Sequence, residues 1–152
     1  MLADTHVNQL QDMPAKIVEA ISTVDLIMHA GDFTDVRLLT GLKQLKDVRA
    51  VQGNMDSMQL RTILPMRDIV EVQGKRIGIT HGSGASPGID ERIRKEFDGD
   101  RVDVIVYGHS HRAQNEVIDG VLFFNPGTAT ESFGILTVDD GVVKGEIVGS
   151  RQ

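Results

Sequence analysis

From residue 1 to about residue 126, short β-branched apolar runs alternate with stretches of helical spacing. That alternation restricts the chain to an α/β fold, because strands and helices in rotation bury their apolar faces only by layering on one another. Residues 13–21 carry Ile17, Val18 and Ile21 at helical spacing, with Asp12 expected as cap and Pro14 in the first turn. Residues 24–30 read as a buried strand, Val36–Leu45 as a second helix, and residues 48–51 as a second strand. A hairpin is expected from residues 69–72 and 76–80 across Gln73-Gly74-Lys75. The next helix is expected to begin near Ser86-Pro87, with Ser86 as cap and Pro87 preset for the first helical position. Residues 102–107 form the clearest apolar strand. Two further hairpins turn at Asp119-Gly120 and at Asp139-Asp140-Gly141. The order is therefore βαβαβ first and mostly antiparallel later.

The chain has 152 residues, enough for one well-buried core, and residues 1–152 read as a single domain without repeat or linker. With 16 basic and 22 acidic residues the formal charge is −6, which argues against a nucleic-acid polymer as partner; an anionic substrate would need cations supplied locally. The absence of Cys excludes disulfides and thiolate metal sites. No apolar run approaches the roughly 20 residues of a membrane span, so neither a membrane partner nor a signal is expected and the chain reads as cytoplasmic.

Five short motifs fall where strands end: Asp4-Thr5-His6, Gly31-Asp32, Gly53-Asn54-Met55-Asp56, Thr80-His81-Gly82 and Gly108-His109-Ser110-His111. Ligands of open α/β sheets gather outside the carboxyl ends of the strands, so these loops are expected to converge. Their carboxylate, imidazole and amide side chains form a hard-to-borderline donor set suited to Mn²⁺, Fe²⁺, Ni²⁺, Zn²⁺ or Mg²⁺. Seven side chains match the requirement of a two-metal site with a shared carboxylate.

In this order the motifs resemble the calcineurin-like metallophosphoesterase superfamily, and the short bacterial and archaeal phosphodiesterase branch in particular, over nearly the whole chain. The branch is also similar to the scaffold subunit of the retromer coat. The resemblance implies a metallophosphoesterase-like β-sandwich flanked by helices in α-β-β-α layers. It implies two divalent metal ions, with Mn²⁺ the first choice. Asp4, His6 and His111 would hold one ion, Asn54, His81 and His109 the other, and Asp32 would bridge them. A metal-bridging hydroxide would then attack a small phosphodiester substrate. Asn54, His81 and His109 are thereby assigned to catalysis, and Asp56 to orienting a ligand or a water.

Two positions depart from the family pattern. Met55 stands where many relatives have a His thought to protonate the departing oxygen, and a thioether cannot donate a proton. Only Met1-Leu2-Ala3 precede the first motif, where the family has a longer apolar strand; the first strand is expected to be truncated and the native product to begin roughly five to eight residues earlier.

Singly, the motifs carry little weight, since Gly-Asp and Gly-Asn are most often turns; the ordered set of five carries the reading. His29, inside an apolar strand, reads as buried or as a support behind the ligands. Gly84-Ala85-Ser86-Pro87-Gly88 fits a nucleophile elbow in pattern, but Pro87 lacks the N–H that the elbow's oxyanion hole requires. That loop is instead expected to cap a helix beside the site. Residues 43–46 and 92–95 read as solvated helix faces. Loops 57–67 and 82–88 are expected to select the substrate, and Phe123, Phe124 and Phe133 to offer an apolar face for a homodimer. The competing function is a non-catalytic protein-interaction scaffold on the same fold, against which stands the complete ligand set.

Overall fold

Three two-residue turns, Gln73-Gly74, Asp119-Gly120 and Asp140-Gly141, place both of their residues at positive φ. Such turns match the right-handed twist of the strands they join and so fix hairpin register. In the computed structural model, which describes residues 1–151, they connect β3 (Arg67–Val72) to β4 (Lys75–Thr80), β6 (Gln114–Ile118) to β7 (Val121–Asn125), and β8 (Ser132–Asp139) to β9 (Val142–Gly149).

The first sheet has the order β3-β4-β5-β7-β6, with β5 (Val104–Val106) at its centre and parallel to both neighbours. The second layer contains the parallel pair β1 (Ile27–His29) and β2 (Val48–Ala50) together with the β8–β9 hairpin. Residues 1 and 2 join its two parts. The Leu2 N–H donates to the Met28 carbonyl (2.9 Å), the Ala30 N–H to the Leu2 carbonyl (2.9 Å), and the Gly134 N–H to the Met1 carbonyl (3.0 Å). The position expected to hold a truncated first strand is thus taken by a short segment in which Leu2 pairs with His29.

Helices α1 (Ala15–Ile21), α2 (Val36–Leu45) and α3 (Met58–Ile63) cover the outer face of the second layer through Ile17, Leu38, Leu39, Leu42 and Leu60. Ile77, Ile79, Val104, Val106 and Phe124 fill the space between the sheets against Ala3, Met28 and Val51. Helix α4 (Ile89–Glu96) packs Ile89 and Ile93 on Ile105, Tyr107 and Phe123 at the far face. Three apolar interfaces therefore separate four layers, the expected α-β-β-α stack.

Several local expectations are corrected. Asp12 lies in a 3₁₀ turn (Leu10–Asp12), and α1 starts after Pro14 with no side-chain cap. Ser86 does not cap α4: Gly88, at φ 75°, takes that place, and Ser86 contributes only its carbonyl, to the Ile89 N–H. Residues 57–67 include α3, which sequence periodicity misses because only Leu60 in it is buried; the Ser57 side chain caps it by accepting from the Leu60 N–H. Phe123, Phe124 and Phe133 offer no homodimer face, because each is consumed in the molecule's own core.

Candidate metal centre

The loops after the N-terminal segment, β1, β2, β4 and β5 meet at one end of the stack. Five of the proposed ligands sit in left-handed backbone conformations that non-glycine residues seldom adopt: Asp4 (φ 48°), His6 (49°), Asp32 (61°), His109 (65°) and His111 (58°). Such strain persists only where surrounding structure enforces it, and it gathers at functional sites. The sequence carries no sign of it.

Asp4 is buried, and its two carboxylate oxygens have different fates. Oδ2 accepts from the His109 N–H (3.0 Å). Oδ1 has no hydrogen-bond donor, and lies 3.4 Å from His111 Nε2 and 4.0 Å from His81 Nε2. Burial raises the pKa of Asp4 and the Asp32 charge adds to this, against the pull of the nearby histidines. At Asp32, Oδ1 accepts from the Met55 N–H (2.7 Å), while Oδ2 is 3.3 Å from His81 Nε2 and 4.0 Å from His6 Nε2. Burial pushes its pKa up, but the attraction of the neighbouring His81 ring and the bond from the Met55 N–H outweigh it and hold the carboxyl below its ordinary range.

Backbone carbonyls fix the imidazole tautomers, since a carbonyl only accepts. His81 spends its Nδ1–H on the Ala30 carbonyl (2.7 Å), which leaves Nε2 bare in the neutral ring and 2.9 Å from Asn54 Oδ1. His109 spends its Nε2–H on the Gly84 carbonyl (2.8 Å), which leaves Nδ1 bare and 3.2 Å from the same Asn54 oxygen. Asn54 Oδ1 and the two ring nitrogens thus converge on one point, an arrangement that a cation or a proton satisfies. A proton is the alternative occupant at His81, whose pKa burial lowers but the Asp32 carboxylate raises further, for a net increase.

Asp4, His6 and His111 bring one ligand atom each within 4.8 Å of one another, and so do Asp4, Asp32 and His81. His109 joins neither of these groups and reaches the cluster through Asn54. Donor chemistry, the orphaned Asp4 oxygen and the two bare ring nitrogens all fit a pair of divalent cations.

Asp56, expected to orient a ligand or a water, acts on the backbone that carries the proposed ligands. It touches no ligand side chain; its carboxylate accepts from three backbone amides, those of Gly53 (2.7 Å), Asp32 (3.2 Å) and Thr34 (2.8 Å), and so ties the Gly53 loop to the Gly31-Asp32 loop. Gly53 itself is required by contact: a Cβ there would collide with the backbone nitrogen and carboxylate of Asp32. His29 is fully buried, stacks on Phe33 with ring centroids 3.5 Å apart, and accepts at Nδ1 from the Gly31 N–H (3.1 Å) while Nε2 meets the Thr5 hydroxyl (3.1 Å). It braces the Asp4 and Asp32 loops from behind, as expected of a buried residue. Met55 is exposed at the rim. Ser86 sits in an exposed loop and lines a cavity with Tyr107 and Gln114 in which no histidine takes part, so no serine nucleophile is assembled.

The calcineurin-like phosphoesterase superfamily domain matches residues 1–141. A probable metallophosphoesterase of Methanocaldococcus jannaschii is 36% identical over 133 residues, covering 86% of this chain and 67% of its own. A phosphodiesterase of the same organism is 28% identical over 151 residues, covering 90% and 85%. Among solved structures, a Thermotoga maritima protein superposes with a TM-score of 0.75 at 29% identity, with 97% of each chain covered. Vps29 of Entamoeba histolytica superposes with a TM-score of 0.77 over 97% of this chain and 96% of its own; at 24% identity that likeness concerns the fold.

Proposed function

Because this chain belongs to the calcineurin-like phosphoesterase superfamily, we propose that it hydrolyses a small phosphodiester with two divalent metal ions, Mn²⁺ being the first choice. Asp4, His6 and His111 would hold one ion and Asn54, His81 and His109 the other, with Asp32 available to both. The observation that carries this reading is buried Asp4 Oδ1, without a donor among the described residues, in a cluster where Asn54 Oδ1 and the His81 and His109 rings converge. Unpaired buried acceptors are costly unless a cation meets them.

When bound, two such ions supply charge neutralisation at the phosphoryl oxygens and an activated water nucleophile. The chain's own residues do the rest. The Ala30 and Gly84 carbonyls hold the rings of His81 and His109 in the tautomer that presents a lone pair inward. Asp56 holds the Asp32 and Gly53 backbones in register, and so places Asp32 and Asn54. The Asn54 amide N–H₂ is free to donate to a substrate oxygen. No side chain at position 55 is able to protonate a leaving group, and general acid catalysis is commonly worth about 10²–10⁴-fold. Diesters with acidic leaving groups are therefore turned over well and alkyl monoesters poorly.

The test is hydrolysis of bis(4-nitrophenyl) phosphate and of an alkyl monoester by chelator-stripped protein, with and without Mn²⁺, alongside His109→Ala. The reading requires diester turnover that appears with metal and drops in the variant. Equal efficiency on both substrates would sink the diester preference. Inactivity with every metal tried, in folded protein, would favour a protein-interaction scaffold, a reading that has the fold in its favour but leaves the filled cage without a purpose.

A further inference from the structure

A cavity of about 710 Å³ opens beside the His81 and Asn54 side of the cage. Its volume suits an organic ligand rather than a lone phosphate. The wall facing the cage carries Arg61, Met66, Arg67 and Glu96, with Gln52 and Thr80 at its base.

This wall is fixed in place. Gln52 Nε2 donates to the Leu64 carbonyl (2.8 Å) and the Arg61 carbonyl (3.3 Å), which pins the end of α3. Arg61 donates through Nε to the Asp56 carbonyl (3.1 Å) and through Nη2 to the Asn54 carbonyl, so its guanidinium stands directly beside a proposed metal ligand. Both partners are neutral, and among the described residues no carboxylate pairs with Arg61. Arg67 bonds through Nη1 alone, to the Glu96 carbonyl (2.8 Å) and Asp100 (2.7 Å), with its guanidinium carbon 5.2 Å from the centre of the Phe97 ring. Its Nε and Nη2 remain available. Glu96 is the one acid on the wall, and the Thr80 hydroxyl donates to its Oε2.

We propose that this cavity holds the larger alcohol of the diester and that Arg61 and Arg67 select an alcohol carrying a second anionic group. The proposal rests on the phosphodiesterase reading for the identity of the first anion. Its physical ground is the pairing of an uncompensated guanidinium with a half-committed one, both fixed by the backbone and both opening onto the space that leads to the cage. Planar N–H forks of this kind suit carboxylate or phosphate oxygens.

The experiment is calorimetric binding of phenylphosphonate and 4-carboxyphenylphosphonate to Mn²⁺-loaded protein, for the wild type, Arg61→Met and Arg67→Met. Neither ligand is hydrolysed, so binding is read independently of turnover. The expected result is about tenfold tighter binding of the carboxylated ligand, the order of one charge-assisted contact at a partly exposed site. That ratio should shrink at 0.5 M salt and fall towards one in each variant. Equal wild-type affinities, a ratio unchanged in both variants, or failure of both phosphonates to bind would each overturn the proposal. Parallel hydrolysis of bis(4-nitrophenyl) phosphate separates the two readings. Turnover without a binding ratio removes the anion subsite and leaves the enzyme; a ratio that depends on the arginines, without turnover, keeps the subsite and removes the catalytic reading.

Discussion

Asp4→Asn should stabilise the metal-free protein and abolish the stabilisation that metal confers. The Asp4 side chain is fully buried, its Oδ1 lacks a donor, and burial raises its pKa, so the carboxylate charge costs stability at neutral pH. An amide removes the charge, keeps an oxygen for the His109 N–H, and places Nδ2 near the position of Oδ1, 3.4 Å from His111 Nε2. Relief of an unsatisfied buried polar group is worth about 1–3 kcal/mol. The φ of 48° at this position also favours Asn over Asp. At about 3 °C per kcal/mol for a chain of this size, the metal-free variant should melt about 3–9 °C higher than wild type. Wild type in Mn²⁺ at a hundredfold excess over Kd gains about 2.7 kcal/mol, which the variant forfeits with its ligand. Thermal unfolding monitored by circular dichroism, with chelator and with Mn²⁺, reads both the gain without metal and the missing rise with it. Asp4→Asn melting lower by the same amount in both conditions would refute the reasoning and make Asp4 a structural anchor only.

Asp56→Ala removes an ionised acceptor from three backbone amides and should cost about 3–5 kcal/mol, read by urea denaturation, with activity lost beyond what the unfolded fraction explains. Gly53→Ala drives a methyl group into the Asp32 carboxylate and should lower kcat/KM by at least about 10²-fold in steady-state assays. His29 is held neutral because burial, and then the charge of His81, lowers its pKa well below 6.5. Below pH 6.5 the unfolded chain takes up a proton that the native state refuses, so stability is complete above that pH and falls below it, by up to about 1.4 kcal/mol per pH unit. Denaturant midpoints at pH 7.5, 6.5 and 5.5 should fall more steeply in wild type than in His29→Gln, the difference being the His29 contribution. Met55→His should raise turnover of alkyl monoesters towards the about 10²–10⁴-fold that a general acid supplies, with little change on bis(4-nitrophenyl) phosphate.

The layer order was legible because strand and helix periods differ, and the hairpins because Asp119-Gly120 and Asp140-Gly141 tolerate the positive φ that their turns demand. The five motifs were legible as a set through their order along the chain, and the fold brings the seven side chains proposed as ligands to one end. What stayed hidden rests on contacts rather than pattern. Helix α3 buries one residue and so lacks a period. Asp56 speaks only to backbone amides, which leave no mark on side-chain spacing. The phenylalanines read as an exposed face because composition does not say which side of a strand is covered; the second layer and α4 cover the central sheet with Phe123 and Phe124, and the helices on the second layer's outer face cover Phe133. The left-handed conformations of Asp4, His6, Asp32, His109 and His111 were equally silent, since residues of these types populate ordinary backbone elsewhere.

The most direct test of the central claim is to count metal ions. Native mass spectrometry of chelator-stripped protein titrated with Mn²⁺ should show two ions bound per chain, falling to one or none in Asp32→Asn, whose carboxylate is proposed to serve both sites. A single ion in the wild type, or two ions retained undiminished in Asp32→Asn, would contradict the bridged two-metal cage.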